Sequence, residues 1–167
     1  MLSHPQYLQW YTKSHDDLLW ISADPGCGKS VLAKSLVDNE LQSTDTHTVC
    51  YFFFKDNEEQ DNLATALCAL LHQLFSHQPR LIQYAIPAWE KTGDKLQKEA
   101  QELWRRLLVA ARDDEAHDVT RVLDALDECQ LSDLRRLIDL LARFYTHISP
   151  SSSTMRRGRL KFLVTSR

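Results

Sequence analysis

The sequence predicts an α/β fold, a three-layer sandwich around a mostly parallel sheet, and three observations carry that prediction. Short apolar or β-branched runs alternate with stretches of helical periodicity along the whole 167-residue chain. The first such run, LLWI at residues 18–21, leads directly into a loop containing glycine and proline. A later run ends on an acidic cluster, DALDEC. Strands separated by helices pair in parallel through right-handed crossovers, which places helices on both faces of the sheet.

Residues 18–21 are continuously apolar, as a strand buried on both faces is. After the loop, Val31, Leu32, Ser35, Leu36 and Leu41 are read at helical spacing, so Ser30 opens a helix. TVCYFFF, residues 48–54, is β-branched and aromatic and reads as a second strand. Leu63, Leu67, Leu70, Leu71 and Leu74 recur at threes and fours, predicting an amphipathic helix that stops before Pro79. Residues 79–95 carry two prolines and a glycine and give no clear periodicity. Ala100, Leu103, Trp104, Leu107 and Leu108 mark the next helix. Residues 119–123 form a third strand, Leu134 to Phe144 a helix, and residues 160–165 a last strand. No internal repeat or linker is visible, so residues 1–167 are read as one domain.

Hydrophobic residues make up 43% and charged residues 26%, a balance that supports a packed core rather than a disordered chain. The formal net charge of −3 argues against a nucleic-acid partner. Only MRRGR, residues 155–159, is locally basic; it follows a Ser-rich run at 149–154 and reads as a solvated loop. No apolar run approaches the roughly 18 residues a membrane span needs. The first ten residues lack the basic start and hydrophobic stretch of a secretory signal. The four cysteines, Cys27, Cys50, Cys68 and Cys129, show no C-x-x-C spacing, which argues against zinc and against a redox dithiol. Scattered single cysteines fit a reducing compartment, so a soluble cytoplasmic protein is expected.

The loop ADPGCGKS comprises Ala23, Asp24, Pro25, Gly26, Cys27, Gly28, Lys29 and Ser30. It departs from the phosphate-binding pattern G-x-x-x-x-G-K-[ST] only at its first position. Such a loop works because backbone N–H groups converge on phosphates where a helix begins and its dipole favours anions. Gly26 and Gly28 supply backbone freedom, Lys29 a charge for the β- and γ-phosphates, and Ser30 a hydroxyl for Mg²⁺. Ala23 stands at the strand-to-loop junction, where a methyl group is harmless unless the backbone needs positive φ. The alternative reading is a glycine turn at a helix start with a surface lysine.

VLDALDEC is the second constellation. A hydrophobic strand ending in Asp124 puts a carboxylate at the C-terminal edge of the sheet, where open α/β sheets bind ligands. Asp124 suits Mg²⁺ held through water, and Asp127 or Glu128 suits orienting or deprotonating an attacking water. The plainer alternative is that these acids cap a helix. In LVTSR, the polar Thr165, Ser166 and Arg167 end an apolar strand at the same edge. A guanidinium there could stabilise charge on a transferring γ-phosphoryl group, or simply be solvated. Cys27 lies inside the loop beside Lys29, which suggests a reactive thiol that nucleotide would shield; an inert small residue is the other reading.

LLWISADPGCGKSVLAKSLVD, CYFFFKD, ELWRRLLVAARD, VLDALDEC and LKFLVTSR together resemble the NACHT-type STAND P-loop NTPases. The likeness is to the fungal heterokaryon-incompatibility proteins and the nephrocystin-3-like N-terminal domains in particular. It runs from about residue 4 to residue 167, with the motifs in family order. The resemblance implies a Walker A loop at residues 23–30, a Walker B aspartate at Asp124 with the acid pair Asp127 and Glu128, and a sensor arginine at Arg167. It further implies ATP or GTP with Mg²⁺, and a nucleotide-dependent switch between an effector domain and C-terminal repeats that assembles when activated. Ala23 and Ala125 depart from the family, which usually has glycine at the first position and often at the second. The family's further strand, helical segment and winged-helix module do not follow Arg167, so a C-terminally incomplete core is expected.

Three function classes follow. One is a switch that binds and slowly hydrolyses a nucleoside triphosphate, favoured by intact Lys29, Asp124 and Glu128. Another is a binding-only scaffold. The third is a small-molecule P-loop kinase with the arginines of MRRGR as a lid, disfavoured because that cluster precedes the last strand. No N-K-x-D motif selects guanine, so ATP is the default. An exposed edge beside residues 18–21 is expected to invite self-association.

Overall fold

In the computed structural model, which describes residues 3–146 and 158–167, strands and helices alternate as the periodicity requires. The chain starts with α1 (Pro5–Thr12) and then forms β1 (Asp17–Ser22), α2 (Lys29–Ser35), β2 (His47–Phe53) and α3 (Leu63–His77). The proline-containing stretch becomes two 3₁₀ segments, Pro79–Tyr84 and Gly93–Lys98, flanking the short α4 (Ile86–Thr92). Next come α5 (Ala100–Ala110), β3 (Asp118–Asp124), a 3₁₀ turn at Leu126–Glu128, α6 (Leu131–Thr146) and β4 (Leu160–Ser166).

All three strand pairings are parallel, in the order β1-β4-β3-β2. One face packs against α3, α5 and α6 around Leu67, Leu70, Leu107, Leu137, Leu141 and Phe162; the other receives α1 and α2 through Tyr7, Trp10, Ala33 and Leu36. The three layers are those the alternation predicts. β3 and β4 lie inside and are buried almost throughout, so apolar residues point to both faces without alternation, and Arg121 and Lys161 are buried with them.

Local chemistry explains the element ends. The Asn62 side chain accepts the Thr65 N–H at 2.8 Å and starts α3, and Pro79 ends it at Gln78. The periodicity gave no hint of α1, although the Nδ1 of His4 caps it and Pro5 stands at its first turn. Its last carbonyls are met from across the fold: Lys161 Nζ donates to Trp10 O at 2.8 Å and to Tyr11 O at 2.7 Å.

The helix after the loop differs from its expected form. Val31 is 76% exposed, so it is not part of the apolar face. The helix widens into a π-turn at Leu36–Glu40, where the Leu41 N–H reaches Leu36 O at 2.7 Å, and this swings Leu41 into the core. Arg159 also differs from the solvated-loop reading of MRRGR. Its guanidinium pairs with Asp118 and donates to Lys13 O at 3.2 Å, at the edge of the sheet opposite the loop. Residues 155–157 and the Ser-rich run at 149–154 lie outside the described residues.

Candidate functional site

β1 delivers the loop to the C-terminal edge of the sheet, where the Ala23 N–H bonds Ser166 O at 3.4 Å. Gly26 and Gly28 adopt φ of 78° and 76°, left-handed values that side chains other than glycine's resist. Gly28 is the residue immediately before α2, and the helix bond from the Leu32 N–H to Gly28 O is 2.9 Å. Ala23 adopts no positive φ, so its methyl group costs nothing there. Lys29 folds back over the loop, donating from Nζ to Ala23 O at 2.6 Å and to Asp24 O at 3.0 Å. The ammonium is thus held at the loop's centre by weak neutral partners that an anion can replace. Cys27 is exposed; Cys50 and Cys129 are buried, and Cys68 is only partly so.

Beside the loop lies a cleft of about 920 Å³ that brings Ser30 from α2, Asp124 and Ala125 from the end of β3, and Glu128 from the following turn to one place. Lys34, Lys55, Gln60 and Gln73 also line it, over a floor that includes Phe52 and Phe53. Lys34 lies on α2, Lys55 and Gln60 on the loop after β2 and Gln73 on α3, and nothing in their local sequence marks them. Glu128 reaches the loop after β2: its Oε2 accepts the Asp56 N–H at 3.3 Å.

Asp127 and Arg167 do not line this cleft. They bind each other, with Asp127 Oδ2 2.6 Å from Arg167 Nε and Oδ1 accepting the Arg167 N–H at 2.9 Å. The Arg167 side chain remains 62% exposed, so one ion pair and water share it. Asp124 is buried beneath the cleft, and Thr165 donates its hydroxyl proton to Asp124 Oδ1 at 2.5 Å.

The donor set suits a small hard cation. Asp124 Oδ1 is engaged by Thr165, Oδ2 has no hydrogen-bond partner among the described residues, and the Ser30 hydroxyl shares the cleft. No group of three or more His, Cys, Asp or Glu poised for a metal occurs among the described residues. One carboxylate and one hydroxyl, with phosphate oxygens and water completing the shell, is the arrangement Mg²⁺ favours. No helix among the described residues is long and apolar enough to cross a membrane.

A wholly parallel sheet, a glycine loop opening α2 and a carboxylate ending β3, one strand removed from β1 in the sheet, define the class of P-loop-type α/β domains. Within it, the chain belongs to the family described as "Nephrocystin 3, N-terminal", which it matches over residues 1–167. It is 32% identical over 172 residues to the vegetative incompatibility protein HET-E-1 of Podospora anserina, an alignment covering 100% of this chain and 12% of that protein. The chain thus spans a small part of the curated relative it matches. Among solved structures, the Aeropyrum pernix ORC2 protein, determined as ADPNP–ADP complexes, aligns over 95% of this chain and 37% of its own with 19% identity and a TM-score of 0.46.

Proposed function

We propose that this chain binds a Mg²⁺–nucleoside triphosphate, ATP or GTP, at the loop and the adjoining cleft, and hydrolyses it slowly as a signalling switch module. The observation that carries the reading is the convergence of Ser30, Asp124 and Glu128 on one cleft beside the loop that holds Lys29. Loop N–H groups and Lys29 bind the phosphates, Lys29 exchanging its two carbonyl partners for a charged one. Mg²⁺, when bound, neutralises the charge on the β- and γ-phosphates. Ser30 and Asp124 hold the ion's side of the cleft, and Glu128 orients a water towards the γ-phosphate. The switch role is what the resemblance of the sequence motifs to the NACHT-type NTPases implies.

The Asp127–Arg167 pair favours binding over turnover. Compensation of charge growing on the γ-phosphate calls for a cation at the cleft, and the Arg167 guanidinium pairs with Asp127 outside it. Arg159, the described arginine of MRRGR, is engaged with Asp118 at the opposite edge, which removes it from a kinase lid.

Titration with Mg²⁺–ATP and Mg²⁺–GTP, combined with a phosphate-release assay, tests the reading. Lys29→Ala should weaken binding by about 1.5–3 kcal/mol, the worth of a hydrogen bond to a charged group. Glu128→Gln should abolish residual phosphate release and leave affinity nearly unchanged, because the carboxylate acts on water. Equal affinity in wild type and Lys29→Ala would remove the loop from the assignment. Robust hydrolysis insensitive to Glu128→Gln would remove the carboxylate.

A further inference from the structure

Thr165 lies at the end of β4, fully buried, and its one hydroxyl serves two groups. It donates to Asp124 Oδ1 at 2.5 Å and accepts the Ala125 N–H at 3.0 Å. A hydroxyl carries a single proton, and the Ala125 amide already supplies the bond it accepts, so that proton is directed at the carboxylate. Ala125 is the only residue other than glycine with positive φ among the described residues, at φ 57° and ψ 50°. It leads directly into the Leu126–Glu128 turn that carries Glu128. One side chain therefore fixes the orientation of the cleft's buried carboxylate and anchors the peptide from which Glu128 is launched.

We propose that Thr165 is the positioning residue of the metal site: its hydroxyl holds Asp124 with Oδ2 towards the cation and couples metal occupancy to the Ala125 turn. The proposal rests on the Mg²⁺–nucleotide reading of the same cleft. Thr165 is not expected to touch nucleotide. It acts on Asp124 as partners behind a metal ligand act, by removing the carboxylate's freedom to rotate. Without the hydroxyl, Asp124 loses its only side-chain partner among the described residues and the buried Ala125 N–H loses its acceptor.

The test is the gain in ATP affinity that Mg²⁺ produces, measured on the full chain by calorimetric titration in MgCl₂ and in EDTA. Wild type should bind ATP more tightly with Mg²⁺. Thr165→Val should shrink that gain by about 10- to 100-fold, the usual effect of losing a partner behind a metal ligand. Its affinity in EDTA should stay at the wild-type value, and Thr165→Ser, which keeps the hydroxyl, should restore the gain. A merely structural role would change both affinities together. Thr165→Ala carries the same expectation if the valine variant fails to fold. A measurement on unaltered protein stands beside these: Mg²⁺–ATP should slow hydrogen exchange at the Ala125 amide more than ATP in EDTA does. A folded Thr165→Val with the full Mg²⁺ gain, or equal Ala125 exchange in the two conditions, overturns the proposal. Wild type that binds ATP in neither condition overturns the nucleotide reading instead.

Discussion

At Ala125 a single methyl group occupies a backbone conformation that glycine would adopt freely. The residue is buried, at φ 57°, between the strand-end carboxylate and the turn carrying Glu128. A left-handed conformation costs an L-residue about 1–2 kcal/mol, whereas glycine in place of alanine loosens the unfolded chain by about 0.4–1 kcal/mol. The first effect is larger, so Ala125→Gly should stabilise the fold by up to about 1 kcal/mol. For a domain of this size that is a rise in melting temperature of about 2–4 °C, measurable by thermal denaturation. Ala23, the other departure from a glycine pattern, has no positive φ, and Ala23→Gly should bring no such gain. Two alanines that look alike in the sequence thus differ in energy because only one sits in a turn that bends the wrong way for a side chain.

At the scale of elements, two buried cations on the inner strands carry opposite accounts. Lys161 of β4 is 6% exposed and caps the end of α1, and burial pulls its pKa down from 10.5 to about 8, with Arg159 adding to the effect. The folded chain therefore releases this proton at lower pH than the unfolded chain. Between about pH 8 and 10.5 the unfolded state binds more protons, so this residue makes stability rise with pH through that window. The rise is at most about 3 kcal/mol at 1.36 kcal/mol per pKa unit. Denaturant unfolding of wild type and Lys161→Met across the window should show the extra slope in wild type alone.

Arg121 of β3 is fully buried, with its guanidinium carbon 5.7 Å from the centre of the Phe162 ring. Its Nη2 donates to Leu107 O at 3.4 Å, while Nε and Nη1 have no hydrogen-bond partner among the described residues. Burial lowers its pKa to about 10. Desolvation outweighs the pull of Cys50 and Asp16 on this cation, so Arg121→Met should stabilise the fold by about 1–4 kcal/mol, the gain seen when buried ionic groups give way to apolar ones of similar volume. A higher denaturant midpoint with unchanged slope would establish it; a lower midpoint would mean the arginine is compensated.

For the whole molecule, the two sheet edges decide association. On the outer side of β2, Gln73 of α3 accepts the Tyr51 N–H at 2.9 Å and donates to Tyr51 O at 2.9 Å. One side-chain amide thereby occupies two of the groups an added strand would use, and the Ser43 hydroxyl accepts a third, the Val49 N–H, at 2.9 Å. β1 pairs only with β4 among the described residues, and its Trp20 is 39% exposed. A single open edge supports a closed two-fold pair, whereas two open edges support chains of copies. Wild type should therefore self-associate no further than dimers, and Gln73→Ala should give larger species, in sedimentation velocity at matched concentrations. Distributions that do not change with Gln73→Ala would place the contact elsewhere.

Much of the architecture is legible in the sequence because it is local. Strand and helix periodicities are properties of neighbouring residues, and they yield the parallel three-layer sandwich and the order of its elements. The loop is legible for the same reason: Gly26 and Gly28 are the residues that take left-handed conformations at no steric cost, and they do so just before the helix. The position of Asp124 at a strand end also needs only its own run of residues. What the tertiary structure alone decided is which distant groups meet. The order β1-β4-β3-β2 slots β4 beside β3, and that adjacency brings Thr165 to Asp124, Arg167 to Asp127 and Lys161 to the end of α1. Asp127 and Glu128 are adjacent in sequence, yet one faces Arg167 and the other the cleft, because a 3₁₀ turn points successive side chains in different directions. Such meetings leave no periodic trace along the chain, since they are set by strand order and burial rather than by nearest neighbours.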